Sequence, residues 1–192
     1  LLFPTEFVVR SFLGSYPFLS KENRFLAGQS LLDLGFGDGR NIPFFDELGL
    51  KVSGMEITPT ICETAEKTLN ERGIKSNLSV GRNNSIPFPD SEFDHVVACH
   101  SCYYVDQNST FNDNICEISR VLRPDGRFVC SLPMMDSYLF KDGIKLQDNH
   151  VRILNDPYKL RNNYVLKGFE TEAEIIHCLS IFFERFEVGQ CR

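Results

Sequence analysis

Two spacings of apolar residues alternate along this chain, and together they predict a fold in which strands and helices alternate in sequence. Short apolar runs at 31–34, 51–55, 77–80, 93–99 and 127–132 are typical of strands buried in a parallel sheet. Between these runs, apolar residues recur every three or four positions, which is the spacing of helices with one buried face. This alternation predicts an α/β fold, in which a doubly wound, mostly parallel sheet is covered by helices on both faces in three αβα layers.

Signals for helix ends divide the connecting segments. Thr58 and Pro59 are typical of a helix N-terminus, and Gly73 is typical of the residue that follows a last turn. Another helix is predicted over residues 108–122. The segment Thr171-Glu-Ala-Glu174 has the spacing of a capping box, which predicts a final helix with a buried side made of Ile175, Ile176, Leu179 and Phe182 or Phe183.

The two ends of the chain add further elements to this core. A leading helix is predicted over Pro4–Leu19, and Gly14 is able to end it. Residues 186–191 have the pattern of a sixth strand.

Residues 133–168 are too long for a simple connection between the fifth strand and the final helix. Asn162-Asn163 separates the apolar runs 151–154 and 164–167, which favours a hairpin-like flap. Insertions at this edge of a sheet commonly determine specificity, so we expect the segment to cover the substrate. Its apolar and aromatic side chains either line a pocket or form a satellite core: Met134, Met135, Tyr138, Phe140, His150, Tyr158 and Tyr164.

The segment Leu31–Asn41 carries the strongest functional signal, because a strand runs through a glycine turn into a helix. Gly35, Gly37 and Gly39 allow a ligand to lie against backbone N–H groups at the N-terminus of that helix. A dinucleotide site would need glycine at position 40, which is occupied by Arg40. Taken alone, the turn is also compatible with a plain connection between strand and helix.

A carboxylate follows at the end of the second predicted strand. Glu56 lies about 20 residues after the glycine turn, where a side chain can accept hydrogen bonds from both hydroxyls of a ribose. A solvated glutamate at a strand end is the alternative for this residue alone. The two signals at successive strand ends favour the ligand.

Four segments together resemble the motifs of the class I S-adenosylmethionine (SAM)-dependent methyltransferases. The G-x-G-x-G turn led by Asp33 is similar to motif I of that family, and Val52-Ser-Gly-Met-Glu-Ile-Thr-Pro59 is similar to the block that follows. Residues 80–97 resemble the family's V-G-D-A-x-x-L-P-F passage, and residues 121–129 its L-(K/R)-P-G-G turn. The resemblance covers residues 31–132 and implies a Rossmann-like sheet that uses SAM.

The resemblance also implies which residues hold SAM and its product S-adenosylhomocysteine, with no metal. The first two strand ends contribute Asp33, Gly35, Phe36, Gly37, Gly39, Glu56 and Ile57. Relatives often place an acidic residue on the adenine where this chain has Arg82. We therefore expect Asn83 or Asn84 to bind the adenine, or the Arg82 guanidinium to stack on it. Arg10 of the leading helix is either a partner of the SAM carboxylate or a solvated arginine.

The end of the fourth predicted strand is where the resemblance places the methyl group. His100 is either a general base for the acceptor or a side chain packed beside the methionine part of SAM. Tyr103 and Tyr104 either bind the acceptor or begin the packing of the next helix. Tyr138 of the insertion is a further candidate for acceptor binding.

The family sheet usually ends with a seventh, antiparallel strand, which here would have to follow Arg192. The chain also begins with Leu1 rather than methionine. We therefore expect residues 1–192 to form one methyltransferase domain that is incomplete at both ends. Its parts would include a helical cap of residues 1–30 and the substrate-side insertion of residues 133–168.

Composition narrows the class of protein. The chain has 192 residues, of which 42% are hydrophobic, and this suits one domain with a substantial core. No apolar run approaches the roughly 20 residues that span a membrane, and no secretory signal is visible. The 7 cysteines are expected to be reduced thiols of a cytoplasmic protein. Cys99 and Cys102 lack the second pair that a zinc site would need.

Charge narrows the choice of substrate. The formal net charge is −6, and no basic stripe runs along the chain, so a nucleic-acid partner is not expected. A small molecule or a peptide side chain is the expected acceptor, and no membrane partner is expected. Two alternatives to methyl transfer stay open. One is a catalytically silent partner protein with the SAM fold, and the other is a nicotinamide-dependent oxidoreductase.

Overall fold

The computed structural model describes residues 2–14 and 25–189, and its centre is a five-stranded parallel sheet. In chain order the elements are α1 (Glu6–Leu13), β1 (Ser30–Leu34), α2 (Ile42–Glu47), β2 (Lys51–Glu56), α3 (Pro59–Asn70), β3 (Asn77–Val80), β4 (Phe93–Ala98), β5 (Tyr104–Val105), α4 (Phe111–Val121), β6 (Leu122–Cys130), a 3-10 helix (Tyr138–Phe140), β7 (Ile144–Lys145), β8 (His150–Arg152), β9 (Val165–Lys167) and α5 (Glu172–Leu179).

The parallel sheet has the strand order β3-β2-β1-β4-β6, which confirms the doubly wound prediction. Each neighbouring pair is parallel, for example Leu32 with Ser53 on one side and with Val96 on the other. The order reverses between β1 and β4, so the loops that follow these two strands diverge and leave a crevice at their carboxyl ends.

Alternation along the central strands produces the three layers. Leu31 and Val97 face a core cluster with the apolar sides of α1, α2 and α3. Their neighbours Leu32 and Val96 face the opposite cluster, which contains the apolar side of α4 and Leu179 of α5. Successive side chains of a strand point to opposite faces of the sheet, so the central strands contribute apolar side chains to the helices on both faces.

Capping residues determine where the helices begin. The Thr58 hydroxyl accepts a hydrogen bond from the Ile61 N–H at 3.4 Å, as predicted for α3. Helix α4 begins at Phe111 rather than 108, because Thr110 and Asp113 form a capping box just before it. The Thr171 hydroxyl caps α5 by accepting from the Glu174 N–H. The Glu174 carboxylate accepts from the N–H of Glu170 and not from that of Thr171, as a capping box would require.

Two further predicted boundaries differ from the structure. Helix α1 ends at Leu13 instead of Leu19, since Gly14 adopts a left-handed φ of 67°, and residues 15–19 lie outside the described residues. Strand β6 begins at Leu122 instead of 127, with an irregular register between its pairings to Phe93 and His95.

The predicted sixth strand over residues 186–191 is also wrong for the residues that the structure describes. Residues 186–189 are irregular, and 190 and 191 lie outside the described part of the chain. The phenylalanines of this segment are held by side-chain packing instead. Phe182, Phe183 and Phe186 pack against the cluster around α4, and Phe183 stacks on Phe128 with ring centroids 5.5 Å apart.

The insertion of residues 133–168 forms most of a second, antiparallel sheet with the order β5-β9-β8-β7, hereafter the small sheet. Strands β8 and β9 pair through Val151 and Leu166, which confirms the predicted hairpin around Asn162-Asn163. Its fourth strand, β5, comes from the core chain just after β4, and Tyr104 pairs with Leu166. The small sheet is therefore joined to the carboxyl edge of the parallel sheet by backbone hydrogen bonds.

The apolar side chains of the insertion do not form a separate core. Phe140, Val151 and Leu166 are buried in the same cluster as Leu32 and Val96 of the parallel sheet. Met134 and Met135 pack against that cluster, whereas Tyr138 and Tyr158 are exposed. The alternative of a satellite core is thus wrong, because the insertion completes the main core.

Arg120 of α4 holds the segment between β3 and β4 against the helix. Its guanidinium donates to the carbonyls of Ile86 and Phe88 at 2.9 Å and to the Asp90 carboxylate at 2.8 Å. Glu117 accepts from Nε of Arg120 and from the Ile86 N–H, both at 2.8 Å. The path of the chain after β3 is therefore determined by one arginine.

We expect Arg120→Gln to lower the free energy of unfolding by about 2–4 kcal/mol, because several carbonyl and carboxylate acceptors lose a charged donor. Urea denaturation followed by circular dichroism measures this change. Arg72→Gln, at an exposed position after α3, is the matched control and should change stability by less than about 0.5 kcal/mol. Equal losses in the two variants would contradict the role of Arg120.

Candidate functional site

The glycine turn after β1 adopts a conformation that leaves one face of its backbone uncovered. Gly35, Gly37 and Gly39 have left-handed φ angles of 71°, 60° and 76°. A Cβ on Gly35 would collide with Ser101, and one on Gly39 would touch Ala65, whereas one on Gly37 would meet nothing within 4 Å. Gly35 and Gly39 therefore allow the protein to pack closely, and Gly37 is the position where a ligand can approach the backbone.

Asp33 lies under this turn with an unusual carboxylate. The residue is 1% exposed, and neither of its carboxylate oxygens has a hydrogen-bond partner among residues 2–14 and 25–189. Burial raises the pKa of Asp33 to about 7, and the negative charge of Glu56 adds to the shift. A buried carboxylate without a donor is costly, so this side chain is suited to a ligand that brings donors or positive charge.

Glu56 connects the tips of β1 and β2. Its Oε1 accepts a hydrogen bond from the Gly37 N–H at 2.9 Å, and its Oε2 accepts one from the Ile57 N–H at 2.9 Å. The carboxylate is therefore held beside the uncovered face of Gly37. Both oxygens keep further lone pairs for a donor that comes from the crevice.

The segment after β3 is tied to the segment after β4. The side-chain amide of Asn83 donates to the carbonyls of Ser101 at 2.9 Å and Tyr104 at 3.1 Å. The Arg82 guanidinium forms an ion pair with Asp106 at 2.8 Å. Arg82 is thus engaged with a carboxylate on the neighbouring loop, and Asn83 has its amide group bonded to the protein, while Asn84 lies next to it.

His100 occupies the carboxyl end of β4 in a strained conformation. Its φ is 59°, in the left-handed region that few residues other than glycine adopt, although histidine is found there more often than most. Ser131 fixes it, since the Ser131 hydroxyl accepts from the His100 N–H at 2.9 Å and lies 3.1 Å from Nδ1 of the ring. The ring of His100 is partly desolvated although the residue keeps an exposed part, and this desolvation, and after it the charge of Arg161, lowers the pKa of His100 and favours the neutral ring.

The predicted aromatic residues are spread over different environments. Tyr103 is 1% exposed and belongs to the main core, where burial raises its pKa. Tyr104 is half-buried in β5 and stacks on Tyr103 with ring centroids 5.2 Å apart. Tyr138 is 62% exposed on the 3-10 helix. Of the three, Tyr104 has a ring that is both accessible and next to the loop that carries His100.

Two further predicted cofactor residues contribute mainly through the backbone. The Phe36 side chain is buried in the core, close to the position that a Cβ on Gly54 would occupy. The Phe36 carbonyl accepts from the Gly39 N–H at 3.0 Å and so shapes the turn. Ile57 is 37% exposed beside Glu56.

Three residues in this region were missed by the sequence analysis. The Ser101 hydroxyl donates to the Leu34 carbonyl and so links the loop after β4 to the end of β1. Ser131 orients His100, and Arg161 of the insertion lines the same cleft as His100. No sequence motif marks these positions, because each one acts through a contact between segments that are far apart in the chain.

The cysteines near the site make contacts with neighbouring side chains. The Cys99 thiol lies 3.3 Å from the Thr5 hydroxyl, which connects the loop after β4 to the start of α1. Thr5 in turn donates its N–H to the Asn41 side chain at 2.9 Å. Within the ranges that the structure describes, no group of three or more metal-binding side chains comes together.

Arg10 faces a neighbour on its own helix. Its guanidinium lies 3.5 Å from the Glu6 carboxylate. Both residues line the cleft that contains His100.

The described helices contain none that is long and apolar enough to cross a membrane.

Comparison with known proteins identifies the family in which this arrangement occurs. A family model described as a methyltransferase domain matches residues 32–130, just over half of the chain. A demethylmenaquinone methyltransferase of Tropheryma whipplei is 31% identical over 104 residues, which cover 54% of this chain and 41% of that protein. A sterol 4-C-methyltransferase of Caenorhabditis elegans is 30% identical over 100 residues, which cover 51% and 29% of the two chains.

The same fold is found among solved structures. A SAM-dependent methyltransferase of Methanosarcina mazei superposes with a TM-score of 0.68 at 21% identity, covering 83% of this chain and 81% of that one. The likeness shows the fold of the parallel sheet and its helices. The chain spans less than half the length of the two curated relatives.

We expect Asp33→Asn to stabilise the protein in the absence of ligand, and increasingly so as the pH rises. In the unfolded chain this carboxyl ionises near 3.8, whereas in the folded protein it stays neutral up to about 7. The unfolded state therefore binds fewer protons in this interval, and stability falls as the pH rises through it.

Urea denaturation from pH 4 to 8 measures the effect. The advantage of Asp33→Asn should grow between about pH 4 and 7 and stay near 2–4 kcal/mol above that range. Asp46→Asn, on the exposed side of α2, is the control and should show no such growth. If the difference in unfolding free energy between Asp33→Asn and the parent did not change from pH 4 to 8, Asp33 would be ionised in the folded protein over that whole range.

Proposed function

This chain belongs to the methyltransferase-domain family and has the class I SAM-dependent fold, and on this basis we propose that it transfers the methyl group of SAM to a small-molecule acceptor. The observation that carries the proposal is the buried carboxylate of Asp33 beneath the uncovered backbone of Gly37. The family match decides against the nicotinamide-dependent oxidoreductase. The alternative of a catalytically silent partner protein is tested by measuring methyl transfer.

The residues at the ends of β1 and β2 fit the polar groups of SAM. Asp33 can accept hydrogen bonds from the ammonium of the methionine part, which would supply the donors and the positive charge that its buried carboxylate lacks. Glu56 can accept from the two ribose hydroxyls while it stays bonded to Gly37. Gly37 lets the ligand approach because no side chain stands on its open face.

The adenine would lie beside the segment after β3. Asn83 is bonded through its amide to the loop after β4, so we assign it to shaping this wall. Asn84 and neighbouring backbone groups are then the candidates for hydrogen bonds to the adenine. Arg82 borders the ring without providing a carboxylate, and its pairing with Asp106 fixes its position.

The chain needs to hold an acceptor and, where the acceptor is protonated, remove a proton. SAM supplies an electrophilic methyl group when it is bound. We assign the general base to His100, because desolvation favours its neutral ring and Ser131 orients it through Nδ1. In the tautomer whose Nδ1–H donates to the Ser131 hydroxyl, Nε2 is the atom that would take the proton of the acceptor.

The acceptor would bind between the loop after β4 and the small sheet. Tyr104 belongs to both, since its backbone pairs with Leu166 and its ring meets Tyr164 edge-on at 5.4 Å. Residues 133–168 would cover this space and exclude water from it. The relatives named above are by name methyltransferases of demethylmenaquinone and of sterols, and small ring-containing acceptors of that kind suit a site with aromatic walls.

We expect Glu56→Ala to weaken the binding of S-adenosylhomocysteine by about 1.5–3 kcal/mol, because hydrogen bonds to a charged acceptor are lost. Gly37→Val should weaken it more, since a branched side chain would occupy the open face at a left-handed φ. Isothermal titration calorimetry measures both affinities. Glu63→Ala, on the exposed side of α3, should bind as the parent does. Unchanged affinity in both site variants would remove this crevice as the cofactor site.

We expect His100→Asn to lower the rate of methyl transfer by about 100-fold at neutral pH and to leave the affinity for S-adenosylhomocysteine unchanged. Asparagine is chosen because it tolerates the left-handed backbone at this position. The rate is measured as S-adenosylhomocysteine produced from a panel of small molecules.

The pH profile separates catalysis from packing. In the parent, the rate should fall as the pH drops through the lowered pKa of His100, because the protonated ring cannot accept a proton. The profile of His100→Asn should be flat in that range. A similar profile in both proteins would assign His100 to packing beside the cofactor, and a parent that produces no S-adenosylhomocysteine from any acceptor would favour the silent partner protein.

A further inference from the structure

The insertion places an arginine that is ion-paired with Asp156 at the carboxyl edge of the parallel sheet. Arg161 lies in the connection between β8 and β9 and lines the same cleft as His100 and Tyr103. Its side chain is 20% exposed and lies beside the Tyr104 hydroxyl. A residue of the insertion therefore shares a wall with the loop in which His100 lies.

The loop that carries Arg161 is held together by a buried aspartate. Oδ2 of Asp156 accepts from the N–H groups of Leu160 at 2.8 Å and Arg161 at 3.3 Å. The Asp156 N–H donates to the Asn162 side chain at 2.7 Å. These backbone contacts close the loop, so the Arg161 guanidinium is positioned by the loop and is not required to form it.

The guanidinium has donor capacity that the protein does not use. Its Nη1 donates to Oδ1 of Asp156 at 3.1 Å. Its Nε is buried and has no acceptor within the parts of the chain that the structure describes. A buried donor without an acceptor is costly, and arginine presents its N–H groups as a planar fork that matches anionic oxygens. The unused donor therefore indicates an acceptor that comes from outside the protein.

Aromatic rings surround this position. Tyr104 stacks on Tyr103 on one side and meets Tyr164 on the other, with ring centroids 5.2 and 5.4 Å apart. Ring walls exclude water, and the attraction between opposite charges is stronger where water is excluded. Planar rings also favour a planar ligand.

We propose that Arg161 binds an anionic oxygen of the methyl acceptor, so that the acceptors of this protein are planar phenols, enols or carboxylic acids whose oxygen is ionised when the methyl group is transferred. Where such an acceptor arrives protonated, His100 takes its proton and Arg161 holds the anion that results. The inference rests on the proposed methyl transfer, because it names the substrate class for that site. Binding of the anion itself does not depend on the cofactor, and it is measured separately.

Two pairs of small molecules test the site: 4-nitrophenolate against 4-nitroanisole, and benzoate against benzamide. Each pair shares a planar ring and differs in charge. Titration calorimetry of the full chain, with and without S-adenosylhomocysteine, should show the anion of at least one pair binding about tenfold more tightly than its neutral partner. The pair that shows this preference separates phenols and enols from carboxylic acids.

Variants assign the preference to one side chain. Arg161→Gln should abolish it, and Arg161→Lys should keep part of it, since a charge remains without the fork. Arg152→Gln, exposed on β8 of the same insertion, is the matched control and should retain it in full. Circular dichroism checks that each variant is folded, and if Arg161→Gln does not fold, the binding of both pairs to the parent and to Arg161→Lys decides the question.

Three outcomes would overturn the proposal. The first is equal binding within both pairs, and the second is a preference that survives in Arg161→Gln. The third is an equal loss of affinity for S-adenosylhomocysteine in Arg161→Gln, because Arg161 would then hold the carboxylate of the cofactor. A parent that binds the anions and not S-adenosylhomocysteine would refute the proposed function instead, so the two failures are distinguishable.

Discussion

The parallel pairing of β1 with β2 on one side and β4 on the other is the constraint on which the rest of the structure depends. It brings the carboxyl ends of three strands to one edge, and with them Gly37, Glu56 and His100. The reversal of strand order between β1 and β4 keeps the crevice open. Asp33 is buried by the same pairing, because it lies in the central strand with neighbours on both sides. The shape and the electrostatics of the site thus have a common origin.

Much of this could be predicted from the sequence because the relevant signals are local. The glycine turn, Glu56 and the cap at Thr58 each lie within a few residues of a strand end, and period and spacing are enough to place them. The order of the five strands followed from the alternation of strands and helices together with the family resemblance. The helix boundaries were less well predicted, since Thr110 and Gly14 end or begin helices inside longer periodic segments.

The remainder depends on contacts between segments that no local pattern connects. Ser131 orients His100 from the end of the neighbouring strand β6, and Arg161 reaches the same cleft from a loop in the insertion. The aromatic residues of the insertion were visible in the sequence, but their burial was not. Val151 and Leu166 lie in the main core, and Tyr158 between them in the sequence is exposed.

The small sheet takes one of its strands, β5, from the core of the domain, and this limits how the protein can diverge. A segment that exchanged freely between relatives would have to be attached through flexible ends. Here Tyr104 contributes its backbone to the ladder with Leu166, and its ring stacks on Tyr103. An insertion of different length or register would have to change together with residues 103–105. A chimera that exchanges only one of these two distant segments would separate a strand from its partner.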